Sequence, residues 1–347
     1  MRYRDLGKAK VKVSVLCLGT WEFAQTKAWG PGELEEYRKI VDYALDAGIN
    51  FIDTAEGYGK SEEILGELLK GRRDDVVLAT KMSRIQRGFG YHNMRRGIEG
   101  SLDMLNTDFV DLYQIHWPKI KGHWSGGEND MEDKDYEDIY TSMGRLKDEG
   151  LIGMAGVSNF RLHHLQKFRD EAFDIIVTDQ VPFNLLWRGY DESDVLDFCR
   201  QKGLRYLTYS SLAQGLLTGK YSKEAALAEI QRANVLFNEP VYSRAMRVID
   251  TVSEVAKEVD ATLAQVALRW VIERELTVSA LVGIRNVKEL EENVEAVSLN
   301  LTREQMDRLD SASLEFWKPM PPRLELWLHD NTRANVQRLG IETDKGY

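Results

Sequence analysis

Short apolar runs alternate with segments of helical periodicity along almost the whole chain, and this rhythm limits the fold more than any other feature. Residues 15–19, 49–54, 76–80, 109–115, 153–157, 175–181, 204–210 and 278–282 are largely apolar at successive positions. Strands read this way when helices cover a parallel sheet and both of their faces are buried. Between them, apolar residues recur at helical spacing. Leu34, Tyr37, Val41, Ala44 and Leu45 form one stripe, and Met94, Ile98, Leu102 and Leu105 a second. Val248, Val252, Val255 and Val259 form a third, and Val287, Leu290, Val294 and Val297 a fourth. Eight strand candidates with intervening helices predict an α/β fold, a closed (β/α)8 TIM barrel rather than an open sheet. A chain of 347 residues, 43% hydrophobic, suffices for one such domain spanning 1–347. The opening segment, residues 3–8 followed by 11–15, predicts an N-terminal hairpin that plugs the N-terminal end of the barrel.

Three stretches break the rhythm and predict long loops on the C-terminal face, where barrel loops carry function. Residues 119–138 contain Trp124 and an acidic run, 128–138, expected as a solvated loop. Residues 220–240 follow the seventh barrel strand. The tail, 315–347, contains Trp317, Pro321, Pro322, Trp327 and His329.

Composition excludes several classes. A net charge of -10 lacks the electrostatic footprint of a nucleic-acid binder. Cys17 and Cys199 make neither a disulfide framework nor a zinc signature, and both are expected as buried thiols. The six histidines are too scattered to predict a metal site. Lys10 and Lys12 interrupt the first apolar run, and no small-residue cleavage site follows. With no long uncharged apolar stretch, the expectation is a cytoplasmic protein without a membrane segment.

In a (β/α)8 barrel the chemistry sits where strands end. The second strand ends in Asp53 with Tyr58 just beyond, the third in Lys81, the fourth in His116 and Trp117. The fifth ends in Ser158 and Asn159, the sixth in Asp179 and Gln180, the seventh in Tyr209 and Ser210. An Asp, a Tyr, a Lys and a His would thus converge. A phenol with a pKa of about 10 is a poor acid at neutral pH. A neighbouring lysine charge lowers that pKa, a carboxylate holds the lysine, and an imidazole orients a carbonyl oxygen.

Five motifs resemble the aldo-keto reductase superfamily over about residues 3–300. They are Phe51-Ile52-Asp53-Thr54-Ala55-Glu56-Gly57-Tyr58-Gly59, Leu78-Ala79-Thr80-Lys81, Gln114-Ile115-His116-Trp117, Gly156-Val157-Ser158-Asn159-Phe160 and the run from Tyr209-Ser210-Ser211 to Gly219-Lys220. The resemblance implies a catalytic tetrad of Asp53, Tyr58, Lys81 and His116, with Tyr58 as general acid/base. It implies a nicotinamide cofactor bound without a Rossmann domain. Gly19, Thr20, Trp21 and Asp53 would also contact it. Ser158, Asn159 and Gln180 would hold the carboxamide, and Tyr209 would stack on the ring. Ser210, Leu212, Gln214, Gly215, Gly219 and Lys220 would wrap the pyrophosphate. Gly283, Arg285, Glu289, Glu292 and Asn293 would hold the adenosine end.

The resemblance favours NADP(H), with NAD(H) as the alternative. Arg285 suits a 2′-phosphate, whereas Glu289 stands where relatives often carry Gln or Arg and would repel it. Ser211 and Lys119 replace the usual Pro and Asp. Trp21, Tyr58, His116 and Trp117 are the expected substrate contacts, with the tail 315–347 near the pocket. Glu22, Trp124, Trp187 and Arg188 are further rim candidates, a mixture suited to a sugar-like carbonyl compound. The implied activity is hydride transfer between the cofactor and a small carbonyl or alcohol substrate. The alternative is a cofactor-binding regulatory subunit, as in the potassium-channel β-subunit branch.

Overall fold

The computed structural model describes residues 1–26, 30–121, 129–191, 193–221, 227, 231–232 and 234–320. Eight parallel strands close into a barrel: β3 (Leu16–Gly19), β4 (Phe51–Asp53), β5 (Val77–Met82), β6 (Val110–Ile115), β7 (Ile152–Ser158), β8 (Ile176–Pro182), β9 (Arg205–Tyr209) and β10 (Thr277–Gly283). Each pairs with its sequence neighbours, and β10 pairs with both β9 and β3 to complete the ring. The eight apolar runs are these eight strands, and helices lie outside them.

The hairpin is β1 (Tyr3–Asp5) paired antiparallel with β2 (Lys12–Ser14). Leu6 and Val13, both fully buried, enter an inner cluster with Cys17, Phe51, Val77, Leu112, Met154 and Leu207. The expected plug is therefore present, and its apolar side chains fill the lower barrel as branched residues fill such interiors. A larger outer cluster lies between strands and helices.

The acidic run differs from expectation. Residues 122–128, including Trp124, lie outside the described residues, but Asp133–Asp148 is a helix rather than a solvated loop. Glu132 and Asp135 form a reciprocal capping box at its start. The negative charges thus sit where exposed backbone N–H groups and the helix dipole favour them. Period-based reading missed this because the polar first turn carries no apolar stripe.

The helix Arg303–Trp317 takes the first part of the expected tail. Trp317 packs edge-on against Trp187, with ring centroids 5.1 Å apart. Residues 321–347, with Pro321, Pro322, Trp327 and His329, lie outside the described residues.

Candidate active site

Strand alternation places the polar side chains. Phe51, Ala79, Leu112 and Leu207 point inward with the plug residues. Two residues further along the same strands, the inward positions belong to Asp53, Lys81, Gln114 and Tyr209. The barrel interior thus changes from apolar to polar at one level, just below its C-terminal mouth.

Lys81 is the centre of that layer and is wholly buried. Its Nζ donates to Asp53 Oδ1 at 2.5 Å, to the Thr54 carbonyl at 2.8 Å and to the Tyr58 hydroxyl at 3.5 Å. All three ammonium hydrogens therefore have partners. Burial works against its charge, but Asp53 and Tyr58 outweigh that cost and raise its pKa. A buried charge is tolerable only when paired in this way.

Asp53 is itself held from two further strands. Its Oδ2 accepts from Gln180 Nε2 at 2.9 Å and from Gln114 Nε2 at 3.2 Å. Gln180, expected at a cofactor carboxamide, thus also braces the carboxylate. No role for Gln114 was read from the sequence. Its signal was available, because it lies two residues beyond inward-facing Leu112.

Tyr58 sits on the loop after β4. Gly59 has φ +50°, and a side chain there would lie 2.3 Å from the Ala24 carbonyl. This close approach fixes the loop against the one after β3. Trp21 stacks on Tyr58 with centroids 6.0 Å apart. His116 meets it edge-on at 5.5 Å. Burial raises the phenol pKa above its ordinary value, and the nearby Lys81 charge only partly offsets that. The expected lowering by Lys81 is therefore present as an influence but does not set the net direction. Burial, assisted by the Lys81 charge, drives the His116 pKa well down, so the ring is neutral.

Ser158, Asn159, Gln180 and Tyr209 form a second polar group. Asn159 Nδ2 donates to the His116 carbonyl and to Ser158 Oγ, each at 3.0 Å. Ser158 Oγ donates to the Gln180 carbonyl at 2.8 Å, and the Tyr209 hydroxyl to Asn159 Oδ1 at 2.8 Å. The next segment is conformationally unusual. Ser210, Ala213 and Gln214 have φ of 51°, 50° and 54°, as does Asn159 at 64°. Left-handed backbone at non-glycine residues gathers at functional sites. Both amide atoms of Gln214 are buried without a hydrogen-bond partner among the described residues.

Across from it, Gly283 ends β10, where a side chain would collide with Glu22, whose Oε1 lies 1.9 Å from that position. Burial and the charge of Glu289 push the Glu22 carboxyl up to about 7 against lesser opposition from Arg285 and its own backbone N–H. Arg285 Nη2 donates to Glu289 Oε1 at 2.7 Å, and Lys220 Nζ lies 3.8 Å from the same oxygen. Glu289 thus joins the Tyr209–Lys220 segment to the helix Val287–Glu295, which also bears Glu292 and the buried Asn293. A loop of left-handed backbone, an open strand end and two cations fit a long, anionic, diphosphate-containing molecule.

Some expected contacts have other tasks. Thr20 is buried, with Oγ1 donating to the Asp53 carbonyl at 2.9 Å, so its side chain is structural. Trp117 is buried with the outer core. Trp187 and Arg188 are not rim groups either. Trp187 is buried, and Arg188 pairs with Asp191 and with Asp310, the latter at 3.1 Å. They tie the loop after β8 to the C-terminal helix. No cluster of three or more potential metal ligands occurs among the described residues. No described helix is long and apolar enough to cross a membrane.

The barrel and its polar mouth are those of an α/β-barrel enzyme family, and comparison with known proteins identifies which. A family model described as "Aldo/keto reductase family" matches residues 15–314, so the chain belongs to that family of oxidoreductases. The "Aldo-keto reductase YhdN" of Bacillus subtilis is 32% identical over 317 residues, covering 88% of this chain and 91% of that protein. A "Probable voltage-gated potassium channel subunit beta" of Oryza sativa is 27% identical, covering 90% and 96%. The crystal structure of an aldo/keto reductase from Klebsiella pneumoniae in complex with NADP and acetate superposes with a TM-score of 0.70 at 26% identity, covering 92% of this chain and 97% of that one.

Proposed function

We propose that this protein is an NADP(H)-dependent carbonyl reductase in which Tyr58 is the general acid/base. The observation that carries the reading is the buried Lys81, which bonds Asp53 and Tyr58 together beside a neutral His116. A nicotinamide held at this mouth would supply or accept the hydride. The Tyr58 hydroxyl donates its proton to the substrate carbonyl oxygen, and Lys81 stabilises the phenolate left behind. Asp53, braced by Gln114 and Gln180, keeps Lys81 in place. His116 donates to the same carbonyl oxygen and orients it, while Trp21, stacked on Tyr58, walls the approach.

Ser158, Asn159 and Gln180 would hold the carboxamide, and Tyr209 would lie against the ring. The Ser210–Lys220 segment, through Leu212, Gln214, Gly215 and Gly219, would hold the pyrophosphate. Gly283, Arg285, Glu292 and Asn293 take the adenosine end. The complex of the Klebsiella relative with NADP supports this choice, and NAD(H) is the weaker alternative. Small aldehydes, ketones or sugar-like carbonyl compounds are the substrate class. The whole chain acts as one domain.

Tyr58→Phe should keep cofactor affinity and lower kcat about 10²- to 10⁴-fold, the usual contribution of a general acid. Retention of more than half the wild-type rate, with hydride transfer limiting, would overturn the assignment. The similarity to plant channel subunits supports a second reading, a cofactor-binding regulatory subunit. Multiple-turnover NADPH oxidation with a panel of carbonyl compounds separates the two, because a regulatory subunit would not sustain it.

A further inference from the structure

One hydroxyl group touches both loops that carry the proposed proton chemistry. Ser83 follows β5, and its Oγ lies 2.8 Å from His116 Nδ1. The same oxygen accepts the Gly57 N–H at 3.0 Å, one residue before Tyr58. We propose that Ser83 is a positioning residue that fixes the tautomer of His116, holding the ring proton on Nε2 so that the imidazole donates toward the carbonyl oxygen. The inference rests on the reading of His116 given above.

The argument is one of donors and acceptors. A serine hydroxyl has one hydrogen and two lone pairs. The Gly57 N–H already points at the oxygen, so the hydroxyl hydrogen is directed elsewhere. Among the described residues, His116 Nδ1 is the acceptor within hydrogen-bond reach. A neutral imidazole that accepts at Nδ1 carries its proton at Nε2. In the opposite tautomer, Nδ1–H and Gly57 N–H would both point at Ser83, leaving the hydroxyl hydrogen without a protein acceptor. The depressed pKa of His116 agrees, because a cationic ring would be a donor at both nitrogens.

Ser83 is also held rigidly enough for the task. Its backbone N–H donates to Glu56 Oε2 at 3.1 Å. Glu56 is bound in turn by Arg84 Nε at 3.1 Å. The loops after β4 and β5 are thereby joined at two points, one carboxylate and one hydroxyl. A protein group that sets a neighbouring histidine's tautomer acts without touching substrate.

The test is NMR of protein labelled with 15N-histidine, the His116 signal being assigned by its loss in His116→Gln. Wild type should show Nδ1 unprotonated and Nε2 protonated. Ser83→Ala should convert this to a mixture of tautomers and lower kcat about tenfold, with NADPH affinity unchanged. Ser83→Thr, which keeps the hydroxyl, should restore both. A wild-type ring protonated on Nδ1 would overturn the inference, and needs no variant to fold. So would a Ser83→Ala protein with the wild-type tautomer and rate. Should the wild type reduce no carbonyl compound, the functional reading fails, while the tautomer measurement still decides what Ser83 does.

Discussion

Glu22 places a carboxyl group in the space that the missing side chain of Gly283 leaves open, at the mouth of the barrel. Burial lifts its pKa from 4.5 to about 7, with Glu289 adding to the effect. The groups facing it are Glu289 and Arg285 from the last strand–helix unit and the phenols Tyr37 and Tyr58. Between pH 4.5 and about 7 the folded protein holds this proton and the unfolded chain does not. The native state therefore loses this stabilisation as pH rises through that window, in the direction required by proton linkage. Glu22→Gln should remove the loss, on the order of 1–3 kcal/mol. Its melting temperature should gain on wild type from pH 5 to pH 7.5, and parallel pH profiles would refute the assignment. Sequence reading placed Glu22 near the rim but not against Gly283, because their meeting depends on closure of the first barrel strand onto the last. Asp53, Lys81 and His116 were legible for the opposite reason: each ends its own apolar run, so local pattern sufficed. Gln114 and Ser83 lie in equally readable places, but their partners belong to other strands.

At the scale of elements, the apolar runs located all eight strands, since burial on both faces leaves an uninterrupted signal. Loops were harder. The helix Asp133–Asp148 begins with charges whose purpose is capping, and charge alone resembles solvated chain. Another long-range contact joins the segment ending in Lys220 to the helix Val287–Glu295, through Glu289. Glu289 pairs with the arginine expected to read a 2′-phosphate, so its carboxylate would oppose a phosphate bound there. Arg285→Ala should weaken NADPH binding about ten- to hundredfold and leave NADH nearly unchanged, as loss of a charged hydrogen bond implies. Glu289→Gln should strengthen NADPH and leave NADH equal or weaker. Titration by intrinsic tryptophan fluorescence measures each combination. Equal weakening of both cofactors in Arg285→Ala would remove Arg285 as the phosphate reader.

The whole molecule divides its labour along the barrel axis. The hairpin fills the lower end with Leu6 and Val13, and the polar layer lies at the upper end. Leu6→Ala should cost about 2–5 kcal/mol through lost packing and the cavity left behind. It should lower the melting temperature by several degrees while kcat, measured well below that temperature, stays near wild type. A comparable fall in kcat would show that the plug and the site are coupled. The seal below also leaves Lys81 approachable only from the mouth, where Asp53, Thr54 and Tyr58 already engage its three hydrogens. Aldehydes condense with amines that have lost their proton, and this amine is kept charged and enclosed. The Lys81 nitrogen is therefore no nucleophile, and an aldehyde arriving at the mouth would form no imine with it.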